Sequence, residues 1–159
     1  VKLLGVIRFI PVGQDPLPAW EAAELFGDAV PDCGGAEIHR EDLQYMVLFD
    51  HAGPCLRLLS EVLEAGERDG FAMAAGLAQG IRSRGPLASS MSGFTKGSIK
   101  TVFDVVDVAG TQQIAISDRL SSIISLDAPE FKKRFKRAAG QGEIIRQTLI
   151  MGTLESENA

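Results

Sequence analysis

The chain has 159 residues, of which 45% are apolar and 23% charged. These are the proportions of one globular domain able to bury a core without disulfides or a structural metal, not of a disordered segment. Sixteen Lys and Arg stand against 21 Asp and Glu, a net charge of −5, which argues against broad binding to nucleic acid or anionic lipid.

The opening segment Lys2–Ile10 is apolar, rich in β-formers and closed by Pro11, and reads as a buried strand. Three prolines, a glycine and an aspartate make Pro11–Pro18 a loop. Ala19–Phe26 reads as a helix closed by Gly27. After the turn residues Asp32-Cys33-Gly34-Gly35, the segments 36–40 and 43–49 are strand-like, and Glu41-Asp42 between them predicts a tight hairpin. Asp50–Pro54 opens a helix that carries Leu56, Leu59, Val62 and Leu63 at helical spacing and closes at Gly66. Phe71–Ala78 reads as a strand ending at Gly80.

Residues 81–98, with many Gly, Ser, Arg and Lys, read as a long functional or mobile loop. Ile99, Val102, Phe103 and Val106 then predict a helix, Gln113–Ser117 a short strand, and Asp118–Ile124 a short helix capped by Ser117. Asp127–Ala139 is expected to be helical, with Pro129 in its first turn, and Ile144–Met151 to be a last strand. The expected organisation is a single domain over residues 1–154 with a frayed tail at 155–159. The order predicts an α+β, ferredoxin-like fold, a mostly antiparallel sheet with helices on one face.

The longest apolar runs fall far short of the roughly 20 residues needed to cross a bilayer. No basic and apolar leader precedes the first strand, so a cytoplasmic location is expected, and Val1 in place of Met reads as the start of a processed or excised segment. Cys33 and Cys55 make no disulfide framework and are expected to be reduced thiols.

The residues resemble the class III adenylate/guanylate cyclase homology domain in three stretches within residues 3–125. Gly34-Gly35 followed by a hairpin ending in Tyr45-Met46-Val47-Leu48-Phe49 is similar to the family's metal-bearing hairpin. Gly76-Leu77-Ala78-Gln79-Gly80 is similar to its Gly-[Ile/Leu]-x-x-Gly strand end. The helix from Ile99 followed by Gln113-Ile114-Ala115-Ile116-Ser117 is similar to its late helix and strand.

The resemblance implies two divalent metals held by two aspartates, which stabilise in-line attack on a phosphate. The first aspartate belongs on the opening strand, where this chain has Gly5-Val6-Ile7, and the second in the hairpin turn, where Leu43 stands with Asp42 at the preceding glycine. A one-residue shift would bring in Asp42, a weak metal candidate, but would reverse every following side chain. The family's helical Asn and Arg correspond to Lys100 and Asp104, and its purine-contacting lysine falls near His39, beside Arg40. Asp104 puts negative charge where negative charge develops, which opposes catalysis. The resemblance therefore implies a degenerate domain with no catalytic residue, no cofactor and a habit of dimerising.

The residues also carry their own candidates. Arg82, Arg84, Lys96, Gly97, Ser98 and Lys100 are a candidate anion or nucleotide site, built from exposed N–H groups, a hydroxyl and basic side chains before a helix. The spacing is not that of a P-loop, and the plainer reading is a solvated loop. His39, Glu41, Asp42, Asp50 and His51 are metal-ligand types, but they sit at both ends of the hairpin. Ser89, Ser90 and Ser92 lack a nucleophile elbow. Cys33 has no flanking basic residue to activate it. Five basic residues and one acidic residue in 128–139 surround Phe131 and Phe135, and the plainer reading is a helix docking both rings, its charges solvated or paired with an acidic partner surface.

The expected function is a non-catalytic regulatory or interaction domain in signalling, a homodimer or the partner of another protein domain. No nucleic acid and no membrane span are expected, and a nucleotide or small anion is the expected ligand class. The alternatives are an atypical nucleotide cyclase or nucleotide-binding enzyme, and a ferredoxin-like small-molecule sensor.

Overall fold

The computed structural model describes residues 2–81, 93–138 and 148–152. Its elements are β1 (Leu3–Pro11), α1 (Leu17–Ala29), a 3-10 turn (Pro31–Cys33), β2 (Gly35–Glu41), β3 (Gln44–Phe49), α2 (Ala52–Asp69) and β4 (Phe71–Gln79). They continue with α3 (Lys96–Val108), β5 (Gln113–Ser117), α4 (Asp118–Asp127), α5 (Pro129–Lys132), β6 (Lys136–Arg137) and β7 (Thr148–Gly152). The strands form one sheet in the order β2-β3-β1-β4-β5-β7-β6. Only the β4–β5 pair is parallel, so the sheet is mostly antiparallel and the fold α+β, as expected.

The strand alternation of β1 divides the core. Leu3, Ile7 and Phe9 pack with Phe26 of α1, Leu56, Leu59 and Leu63 of α2, and Leu120 and Ile124 of α4. Leu4 and Val6 point the other way and pack with Val102 and Val106 of α3. Helices therefore cover both faces, whereas the element order alone predicts one. α3 is the exception because both sides of β1 and β4 are apolar, and a strand apolar on both sides needs cover on both.

Gly76 of β4 sets how closely α3 sits. A Cβ there would lie 2.5 Å from the Val106 nitrogen and 2.6 Å from its Cα, so helix backbone rests directly on strand backbone.

Several boundaries differ from the sequence reading. Gly27 does not end α1, which continues to Ala29; a Cβ at Gly27 would stand 2.7 Å from the Tyr45 hydroxyl, so the glycine makes room for that ring. Tyr45 is buried and donates to the Ala23 carbonyl at 2.8 Å. α2 runs past Gly66 and is capped by Gly70 at φ +86°, a left-handed conformation that glycine adopts without strain. The hairpin turn is Asp42-Leu43 rather than Glu41-Asp42. α3 begins at Lys96 rather than Ile99 because Thr95 caps it, its hydroxyl accepting from Ser98 N at 3.1 Å. Ser117 precedes α4 without a side-chain cap bond.

The expected helix over 127–139 is largely replaced. α4 extends to Asp127, α5 lasts one turn, and Lys136-Arg137 pair with Ile150 and Leu149 of β7. Phe131 and Phe135 still both reach the core, but the edge of β7 offers backbone partners that a continued helix would leave unused. β7 covers 148–152; residues 144–147 of the expected last strand lie outside the described residues.

Two outcomes follow from this packing. Gly76→Ala should cost about 2 kcal/mol in urea unfolding, because the clash is with backbone that cannot rotate away. Burial raises the Tyr45 phenol above its ordinary value of 10.0. The folded state then holds the phenolic proton more tightly than the unfolded chain, so its share of stability is intact below pH 10 and is lost as pH rises through the raised pKa. Tyr45→Phe should flatten that part of a stability-against-pH curve and lower stability at neutral pH by about 1 kcal/mol through the lost hydrogen bond.

Candidate functional site

The hairpin turn is where the resemblance places metal chemistry. Asp42 holds φ +54°, a left-handed conformation that Asp tolerates better than most residues, so it stands in the backbone role of a glycine. Leu43 follows and packs against the core on the α1–α2 side. Its carbonyl accepts from Phe9 N at 2.8 Å, so the turn is tied to β1.

The pairing of β1 with β3 shows which opening-strand residue lies beside the turn. Gly5, Val6 and Ile7 stand opposite Val47, Met46 and Tyr45, progressively nearer the turn, and Arg8 stands opposite Gln44, the first residue after it. Arg8 alternates with Leu4 and Val6, so it lies on the α3 side of the sheet. The Arg8 Nε donates to Gln44 Oε1 at 2.8 Å, and its Nη1 donates to Asp107 Oδ1 of α3 at 2.8 Å.

These residues do not fit a pair of divalent cations. Such ions need anionic oxygen ligands, and the positions that the resemblance gives to the two carboxylates hold Gly5-Val6-Ile7 and Leu43. Among the described residues no group of three or more His, Cys, Asp or Glu could hold a metal. The candidate cluster around the hairpin does not converge. His39 pairs across from Met46, whereas Asp50 and His51 follow β3 at its far end. Asp50 is bound to Lys2, whose ammonium holds its carboxyl below the ordinary value. Arg40 turns to the opposite face, 4.9 Å over the Tyr45 ring and paired with Glu24 at 2.8 Å.

The second candidate region is the start of α3. Lys96 and Gly97 are exposed there, and Ser98 is buried. The Ser98 hydroxyl accepts from Ile81 N at 2.8 Å and lies 3.1 Å from the Thr95 hydroxyl, so it locks the cap. Lys100 pairs with Asp104 one turn on, at 2.7 Å. The two positions that the resemblance assigns to an Asn and a phosphate-stabilising Arg thus neutralise each other. Arg82 and Arg84 lie outside the described residues, as do Ser89, Ser90 and Ser92.

A cleft of about 580 Å³ opens beside this region. Gly97, Ser98, Thr101 and Asp104 of α3 line one wall, and Ser117, Asp118 and Arg119 at the start of α4 line the other. Lys96 and Lys100 are not on its walls. The sequence reading missed Asp118 and Arg119; the available signal was their place just after a buried strand, where a helix begins with free N–H groups. Asp118 is paired with Arg137 at 3.2 Å.

Neither thiol is activated. Burial, then the nearby Glu61 and Asp32 carboxylates, raises Cys33 above its ordinary value. Burial raises Cys55 much further. Both favour the protonated, unreactive form.

No family profile and no curated protein matches the chain. Solved structures do. The guanylyl cyclase domain of the RhoGC fusion protein from Blastocladiella emersonii aligns at a TM-score of 0.62 and 11% identity, covering 95% of this chain and 94% of that one. An adenylate/guanylate cyclase/hydrolase from Silicibacter pomeroyi aligns at 0.62 and 14%, covering 94% and 95%. The adenylyl cyclase CyaB from P. aeruginosa aligns at 0.60 and 12%, covering 94% and 91%. At such identities the likeness is one of architecture, and the chain has the fold of a class III nucleotide cyclase homology domain.

Proposed function

We propose that this domain is a non-catalytic regulatory and interaction module built on the cyclase fold. The observation that carries the reading is the charge at the three decisive positions. Gly5-Val6-Ile7 and Leu43 stand where the resemblance calls for metal-binding carboxylates, and Asp104 stands where it calls for a cation to meet developing negative charge. Each change opposes phosphoryl chemistry, and the three act in the same direction. Purified protein given ATP or GTP with Mn²⁺ should produce no cyclic nucleotide above a protein-free control. Formation of product that scales with enzyme concentration defeats the reading.

The interaction half of the proposal rests on the α3 side of the sheet. There Ile38 and Leu48 of the hairpin and Ile99 and Phe103 of α3 are only partly buried around the Leu4–Val6–Met46 cluster. A second copy is the partner we assign to this patch. Sedimentation should then show a dimer, and Phe103→Glu should weaken it by about 2 kcal/mol, roughly thirtyfold in Kd, with the circular dichroism unchanged. A monomer at all concentrations counts against it.

A second reading, a nucleotide-binding domain, is favoured by the cleft between the starts of α3 and α4. Calorimetry separates the two. Heat on adding ATP or GTP that disappears in Arg119→Ala, at the cleft wall, supports nucleotide binding, and no heat at millimolar nucleotide removes it.

A further inference from the structure

The α1–α2 side of the sheet carries two surface features that the proposed function does not use. One is an apolar groove of about 430 Å³ between α1 and α2, lined by Ala22, Leu58, Val62 and Ala65, with Leu25 beside them 70% exposed. The charged residues of the groove are Glu21, Glu61, Arg68 and Asp69. Arg68 is engaged by Asp69 at 3.2 Å, whereas Glu21 and Glu61 are in no ion pair among the described residues. The groove is therefore apolar inside and negative at its rim.

The other feature has the opposite character. Leu126, in the last turn of α4, is 84% exposed, more than any other large hydrophobic among the described residues. Five basic residues stand against one acidic residue in the segment 128–139 that follows it. Of these, Lys132, Lys133 and Lys136 are in no ion pair among the described residues. Phe26 and Leu58 behind the groove, and Ile124, Phe131 and Phe135 behind the basic segment, belong to one core cluster. Arg57 of α2 reaches Glu130 of α5 at 3.6 Å. The groove and the basic knob thus lie on the same side of the sheet, both next to α2.

We propose that the groove is a self-recognition site. It takes the Leu126 knob of a second copy, with Lys132 and Lys133 of that copy against Glu21 and Glu61. A leucine so exposed gains by leaving water for an apolar groove. The opposed charges fix which surfaces meet, and salt weakens that selection. Each copy carries both surfaces on one side, so two copies set face to face make the contact twice and close as a pair. The contact uses the side opposite the α3 patch and does not rest on the dimer assigned there.

Sedimentation equilibrium of the whole chain tests this in the Phe103→Glu background, which removes the α3-side dimer. That variant should still self-associate at about 20 mM salt, and about 500 mM salt should weaken the association at least about tenfold. Adding Leu126→Asp, a change at an exposed position, should weaken it by a similar factor with the circular dichroism unchanged. Lys132→Glu with Lys133→Glu should abolish association, and so should Glu21→Lys with Glu61→Lys. Mixed together, those two charge-reversed chains have opposite signs at both contacts and should associate again.

A monomer at low salt overturns the proposal. So does association that neither salt nor Leu126→Asp changes, or charge-reversed chains that stay apart on mixing. A monomer that instead binds a synthetic leucine–lysine helix, and loses it in Leu25→Asp, gives the groove to a different protein and equally overturns it. If Phe103→Glu does not fold, the wild type decides: a salt-sensitive association step removed by Leu126→Asp supports the proposal, and its absence overturns it. The two contacts fail separately, since a dimer lost in Phe103→Glu but unmoved by salt or Leu126→Asp supports the α3 patch and overturns this one.

Discussion

The candidate site depends on the contact between α3 and β4 at Gly76. Because Gly76 presents no side chain, Val106 backbone sits on the strand, and Val102 and Val106 bury against Leu4, Val6 and Ala78. That contact fixes the rotation of α3 about its own axis. Asp107 is thereby brought within hydrogen-bond reach of Arg8 on β1, and Asp104 is set at the wall of the cleft. The polar chemistry on this side of the sheet is arranged by an apolar interface with almost no room to adjust.

On the proposed non-catalytic reading, the fold must hold without a metal. Two apolar clusters, one on each side of the sheet, hold the described elements together. Two carboxylates aimed at one point repel each other whenever the cation between them is missing. Here Leu43 packs against the core, and Arg8 pairs with Asp107. Lys100 and Asp104 likewise neutralise one another across one helical turn.

The strands were legible where the apolar run was long. β1 and β4 stand out in the sequence because both of their sides are buried, but for that same reason their composition does not say that α3 lies opposite α1 and α2. The start of α3 was hidden because Lys96-Gly97-Ser98 has the composition of a loop, and only the Thr95 cap turns it into a helix. The basic segment was read as one helix from the spacing of Phe131 and Phe135. Both rings do reach the core, but through a turn and a short strand whose partner, β7, is distant in sequence. At the candidate site, Leu43 and Asp104 were legible by counting along the chain from neighbouring motifs. Arg8 was not, because its relation to the turn is set by which residues of β1 and β3 face each other, and that register is a property of the pairing and not of either strand alone.

Consider what this leaves on the α3 side of the sheet. On this side Arg8 is paired with Asp107, and Lys100 with Asp104. A polyphosphate arriving there meets as much negative charge as positive, and gains little from either pair because both are already engaged. The adjoining apolar residues Ile38, Leu48, Ile99 and Phe103 are not satisfied in the same way, since each is only partly withdrawn from water. The unspent free energy on this face is therefore hydrophobic rather than electrostatic, which suits a protein surface better than a nucleotide. A face of neutralised ion pairs flanking an apolar patch also carries little long-range repulsion between identical copies, despite the net negative charge of the chain.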